Sequence, residues 1–135
     1  MTRLPDWPAR LSALVSAAHG QAFQWGEHDC CLWAADAVQA ITGVDLAADM
    51  RGTYSTAYEA QRALHSIGGL KGAGERAGAR IGPLQALAGD IGLVRQERKP
   101  MLAVCQGEVW LCAATHGLVA LPLGDALMAW GVGHG

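Results

Sequence analysis

Residues 30 to 42 read Cys-Cys-Leu-Trp-Ala-Ala-Asp-Ala-Val-Gln-Ala-Ile-Thr, and this stretch constrains the fold more than any other. Leu32, Trp33, Ala34, Ala35, Ala37, Val38 and Ile41 leave only Asp36 and Gln39 as polar breaks, so a helix here is apolar round most of its circumference. Such a helix is stable only when other elements cover it, which makes it the expected centre of the molecule. Its ends are marked as well. Asp29 suits an N-cap, because its carboxylate can accept a free N–H of the first turn, and Gly43 suits a stop.

The rest of the chain has to supply the cover. Asp6 and Pro8, followed by Leu11, Leu14, Val15 and Ala18 before Gly20, predict a helix over about 7–19. Thr56-Ala57-Tyr58-Glu59 has the form of a capping box and predicts a helix over about 57–66, ending at Gly68-Gly69. The glycine-rich segment 68–82 reads as mostly loop, with room for a short helix around 74–79 and no phosphate-binding motif. Beyond residue 89 the period changes. Short apolar runs at 90–95, 101–106, 109–113 and 118–121, separated by charged or glycine-bearing turns, predict an antiparallel meander. After Leu123 a helical turn at 125–128 and an edge strand through Trp130 are expected. Helices first and strands after give one α+β domain, with N-terminal helices and a central buried helix packed on a C-terminal antiparallel sheet.

Composition removes several classes of function. With 51% hydrophobic and 16% charged residues and a formal net charge of −2, the 135-residue chain is neither disordered nor furnished with a phosphate-binding surface, so nucleic acid is not an expected partner. No stretch approaches the roughly 18 apolar residues that span a bilayer, and Met1 to Pro8 lacks the pattern of a secretory signal. The expected location is the cytoplasm where the protein is made, or a larger particle that carries it. Cys30, Cys31, Cys105 and Cys112 form no Cys-x-x-Cys pair, so neither a metal nor another cofactor is expected.

Chemistry concentrates between Trp25 and Trp33. The run Trp-Gly-Glu-His-Asp-Cys-Cys-Leu-Trp places Cys30 at the start of the central helix, just after a glycine turn. A helix N-terminus carries unpaired N–H groups and about half a positive charge, which favours a thiolate and lowers a cysteine pKa from about 8.5. Cys30 is therefore the candidate nucleophile. The alternative is that Cys30 and Cys31 are small buried hydrophobes of a core helix.

The order of a Trp-Gly turn, an Asp-Cys helix start and a later Gly-Asp opening a sheet resembles the NlpC-type cysteine peptidases, papain-like enzymes that cut bacterial cell-wall peptides. Phe23-Gln24-Trp25-Gly26 leading to Asp29-Cys30-Cys31-Leu32, and Gly89-Asp90 later, carry the likeness, which covers about residues 10 to 123. The chain looks especially similar to small NlpC-related proteins of phage and prophage tail clusters. That resemblance implies a papain-like fold, Cys30 as nucleophile, a pocket lined by Phe23, Trp25 and Met101, and either phage tail proteins or peptidoglycan peptides as partners. It also implies a departure from the family, because the position of the general-base histidine falls on Met101, whose thioether accepts no thiol proton. The base's orienter falls near Cys112 or Ala113, and a hydroxyl-bearing tyrosine becomes Phe23. His116, in a turn after Cys112, and His28, two residues before Cys30, are the substitute bases to consider. The expected outcome is a degenerate peptidase retained as a tail or assembly component. The alternative is an active hydrolase, which needs a base nitrogen roughly 3 to 4 Å from the Cys30 sulfur.

Overall fold

A computed structural model describes residues 1–134 of the chain. Four helices come first: α1 (Trp7–Ala18), α2 (Cys30–Thr42), α3 (Ala57–His65) and α4 (Gly69–Ala77). Six strands follow: β1 (Ala79–Ile81), β2 (Ile91–Gln96), β3 (Lys99–Cys105), β4 (Val109–Ala114), β5 (Gly117–Pro122) and β6 (Met128–Gly131). They form one antiparallel sheet in the order β1-β6-β2-β3-β4-β5. The α+β class, with helices preceding a sheet, is thus as the sequence predicts.

The central helix behaves as its composition demands. Trp33, Ala34, Ala37, Val38 and Ile41 pack with α1 and one face of the sheet, while Cys31, Leu32 and Ala35 pack on another side with Ala47, Met50 and Tyr54. Asp29 caps α2 by accepting the Leu32 N–H at 2.9 Å, and Gly43 ends it in the left-handed conformation. Alternation sets the sheet's two faces. Leu102 and Val104 of β3 and Leu111 and Ala113 of β4 face the helices. Ala103, Cys105, Trp110 and Cys112 face the other way, into a second small core closed by Ala86 and Ala126 beside the 3-10 turns Pro83–Gln85 and Leu123–Asp125.

Two expectations need correction. The segment 68–82 is not mainly loop, since it holds all of α4 and β1. Its glycines serve packing: a Cβ at Gly74 would run into the Trp130 ring, so glycine lets α4 lie flat against β6 at the cost of helix propensity. Nor is the strand through Trp130 an edge. β6 lies between β1 and β2, with Ile91 opposite Trp130 and Ala79 opposite Gly131, and Trp130 is fully buried.

Asp90 fastens the two ends of the described chain to the start of β2. Its Oδ1 accepts from Arg3 Nη2 at 3.0 Å, the Val132 N–H at 2.9 Å and His134 Nε2 at 2.7 Å, and its Oδ2 accepts the Leu87 N–H at 2.8 Å. Arg3 also donates to the carbonyls of Ala88 and Val132 and lies over the Trp7 ring. A fully buried carboxylate is tolerable only with such complete pairing. Among the described residues no helix is long and apolar enough to cross a membrane.

Candidate functional site

The cleft originates in a fork of the sheet. β2 and β3 pair along their whole length, from Ile91↔Val104 to Gln96↔Lys99, but β3 and β4 pair only at Val104↔Leu111 and Cys105↔Trp110 before they diverge. The Trp33 indole N–H takes the Leu111 carbonyl at 2.9 Å near the point of separation. The N-terminus of α2 sits over the opening. A broad open cleft of about 980 Å³ results, walled by the α1–α2 loop, by α3 and by the ends of β3, β4 and β5.

The local turn is built to hold Cys30 in place. Gly26 has φ of +83°, and a Cβ there would strike the Tyr54 carbonyl, so only glycine fits the bend. The Gly26 N–H donates to Asp29 Oδ2 at 3.0 Å, and the Tyr54 hydroxyl donates to the same oxygen at 2.6 Å. One buried carboxylate therefore caps α2, closes the turn before it and ties the turn to the segment preceding α3.

Five of the six residues singled out in the sequence border this cleft: Phe23, Trp25, Cys30, Met101 and His116. Phe23 and Trp25 meet edge to face with ring centroids 4.7 Å apart. Cys31 points away from the cleft into the Met50 and Tyr54 cluster, so the two adjacent thiols are not equivalent. His65, at the end of α3, also borders the cleft. No motif in the sequence marks it; only the pairing of the α3 end with the strand fork brings it there.

His28 is elsewhere. Its ring is buried against Trp33, centroids 6.1 Å apart, and both nitrogens lack a hydrogen-bond partner. Burial pushes its pKa down, against the opposing charges of Asp36 and Asp29. An imidazole enclosed in this way is a poor base for a thiol in the cleft.

The thiol itself is not primed. Burial pushes Cys30 up to about 11, the Leu102 backbone N–H relieves this in part, and the neighbouring Asp29 carboxylate adds to the rise. Desolvation and an adjacent negative charge thus act against the thiolate that the helix N-terminus would favour. Among the described residues no imidazole hydrogen-bonds to Cys30; His116 is exposed in the β4–β5 turn, where it forms a bridge with Ala22.

The alternation of β3 also revises the position of Met101. Leu102 faces α2, so Met101, although it reaches the cleft wall, packs with the cluster on the opposite face of the sheet. The residue of β3 that shares the face of Leu102 and also borders the cleft is Pro100. Proline is no more a base than methionine. Cys112 and Ala113 offer no orienting group: Cys112 is buried in the far core, with its thiol pushed up to about 12, and Ala113 packs under the helices. Among the described residues no cluster of His, Cys, Asp or Glu has the arrangement of a metal site.

Fold and site together define a class: an α+β domain with a cysteine at a buried helix start, facing a forked-sheet cleft. The chain belongs to the family described as Domain of unknown function (DUF6950), whose model matches residues 2–132. Comparison with curated proteins gives no match.

Proposed function

We propose that this is a degenerate cysteine peptidase of NlpC type, with a papain-like fold whose cleft binds rather than cuts, used as a tail or assembly component of a phage-like particle. The observation that carries the catalytic half of this reading is the Cys30 thiol, pushed up to about 11 with no imidazole bonded to it. At pH 7 such a thiol is held almost wholly in its protonated form. The absence of a positioned acid–base group removes a further factor of about a hundred to ten thousand. Amide cleavage then has neither a nucleophile nor a donor for the leaving amine. The particle half rests on the resemblance to small phage-encoded NlpC-related proteins.

Cell-wall muropeptides incubated with the protein and with Cys30→Ala should remain equally intact. Mass spectrometry of purified particles from a producing strain should find the chain among their components. A second reading, an active hydrolase of peptidoglycan peptides or another amide, is favoured by one fact: Cys30 and His116 border the same cleft. Cleavage that is abolished by Cys30→Ala and by His116→Ala alike would establish that reading.

A further inference from the structure

The two outer strands of the sheet differ. β1 has three residues and carries Arg80, whereas β5 has six, carries no charge and pairs only with β4. Natural sheets blunt their edges by brevity and charge; β1 uses both, and β5 has only the proline at its end.

The register shows which groups of β5 face outward. The Gln106 N–H donates to the Val109 carbonyl at 2.9 Å, so Val109 faces β3, and alternation turns Trp110, Cys112 and Ala114 towards β5. Their partners Leu121, Val119 and Gly117 spend their N–H and C=O groups inside the ladder. Those of Leu118 and Ala120 point away from it, and among the described residues no backbone or side chain bonds to them. The lane beside them is begun and then abandoned. Ala22 pairs antiparallel with His116, and the Phe23 N–H donates to the Thr115 carbonyl at 3.2 Å, but at Gln21 the chain turns back to bond the Ala18 carbonyl.

We propose that the β5 edge from Leu118 to Pro122 docks an extended, uncharged segment of another protein, which adds to the sheet as a further strand beside the cleft. An alternating row of donors and acceptors is matched only by another extended backbone. Leu118 lies on the helix side and Val119 and Leu121 on the other, all half-buried, so the guest is apolar on both faces. A second copy of the chain fits less well. The two-fold pairing of Leu118 with Ala120 sets Pro122 opposite His116, where Ala22 already lies. Shifting to Ala120 opposite Ala120 sets Leu118 against Pro122, which has no N–H to give. The inference stands whether or not Cys30 is catalytic.

The test titrates the whole protein with a capped peptide apolar on both faces, acetyl-Ser-Val-Ala-Val-Ala-Val-Ser-amide, and follows amide exchange residue by residue. Leu118 and Ala120 should gain protection while Arg80 does not. Ala120→Pro removes one outward N–H without touching the β4 ladder and should weaken binding roughly five- to tenfold. Should that variant fold poorly, Ala120→Lys places a charge on the same edge and should weaken binding likewise. The proposal is overturned if the peptide leaves these amides unprotected, if it binds the folded variants as well as the parent, or if their protection rises with protein concentration alone, which would make a second copy the occupant.

Discussion

Asp29 receives donors from three directions, the Leu32 N–H of α2, the Gly26 N–H of the preceding turn and the Tyr54 hydroxyl. Loss of an N-cap costs about 1 kcal/mol and loss of each buried hydrogen bond to a charged group about 2 kcal/mol, so Asp29→Ala, which also strips Gly26 and Tyr54 of their acceptor, should lower stability by at least about 3 kcal/mol in denaturant unfolding. Asp29→Asn should lose less and also bring the Cys30 pKa down from about 11, because a negative charge beside the thiol disappears. Thiol alkylation against pH reads that second effect. In the parent, Cys30 should react before Cys31, which burial pushes up to about 12, and its rate should keep rising above pH 8 instead of levelling off below it. His28 gives a pH signature of its own. Its folded pKa is lowered from 6.5, so the stability it contributes is present above that value and is lost as pH falls through the folded pKa. Melting temperatures from pH 7.5 to 5 should therefore fall more steeply in the parent than in His28→Phe, which has no proton to take up.

Among the elements, α2 and α4 mark the extremes of what could be read from the chain. α2 begins and ends at its predicted residues because its signals are local: a capping aspartate, an unbroken apolar run, a terminal glycine. α4 was hidden because Gly69, Gly72 and Gly74 read as loop, while the reason for at least one of them is a tryptophan more than fifty residues further along the chain. In an exposed helix Gly→Ala gains up to about 1 kcal/mol. Gly74→Ala should reverse the sign and destabilise by about 1 to 3 kcal/mol, as overpacking does, measurable as a lower unfolding midpoint. The cleft was legible in its membership, since Phe23, Trp25, Cys30, Met101 and His116 do meet there. Its electrostatics were not, because desolvation of the thiol depends on how the start of α2 packs against β3 around Leu102. The facing of β3 was also beyond a motif comparison: one residue of register separates Met101 from Pro100. Pro100→His should consequently lower the Cys30 pKa more than Met101→His, an order that alkylation profiles of the two variants can check.

At the scale of the whole molecule, Asp90 joins residues near both ends of the chain through Arg3, Val132 and His134. Removing one partner of a buried ion pair costs about 3 to 5 kcal/mol. Arg3→Ala should approach the lower figure, as three other donors stay on the carboxylate, and calorimetry should show the loss as one cooperative transition at lower temperature. The position of β6 has a different kind of consequence. β6 comes last among the six strands in chain order yet belongs inside the sheet, between β1 and β2, so a nascent chain that has released everything up to residue 127 still holds two unsatisfied strand borders and an empty place for Trp130. Until Met128 to Gly131 emerge, the growing polypeptide is a sticky half-sheet, and its safety from unwanted association depends on how quickly those four residues follow.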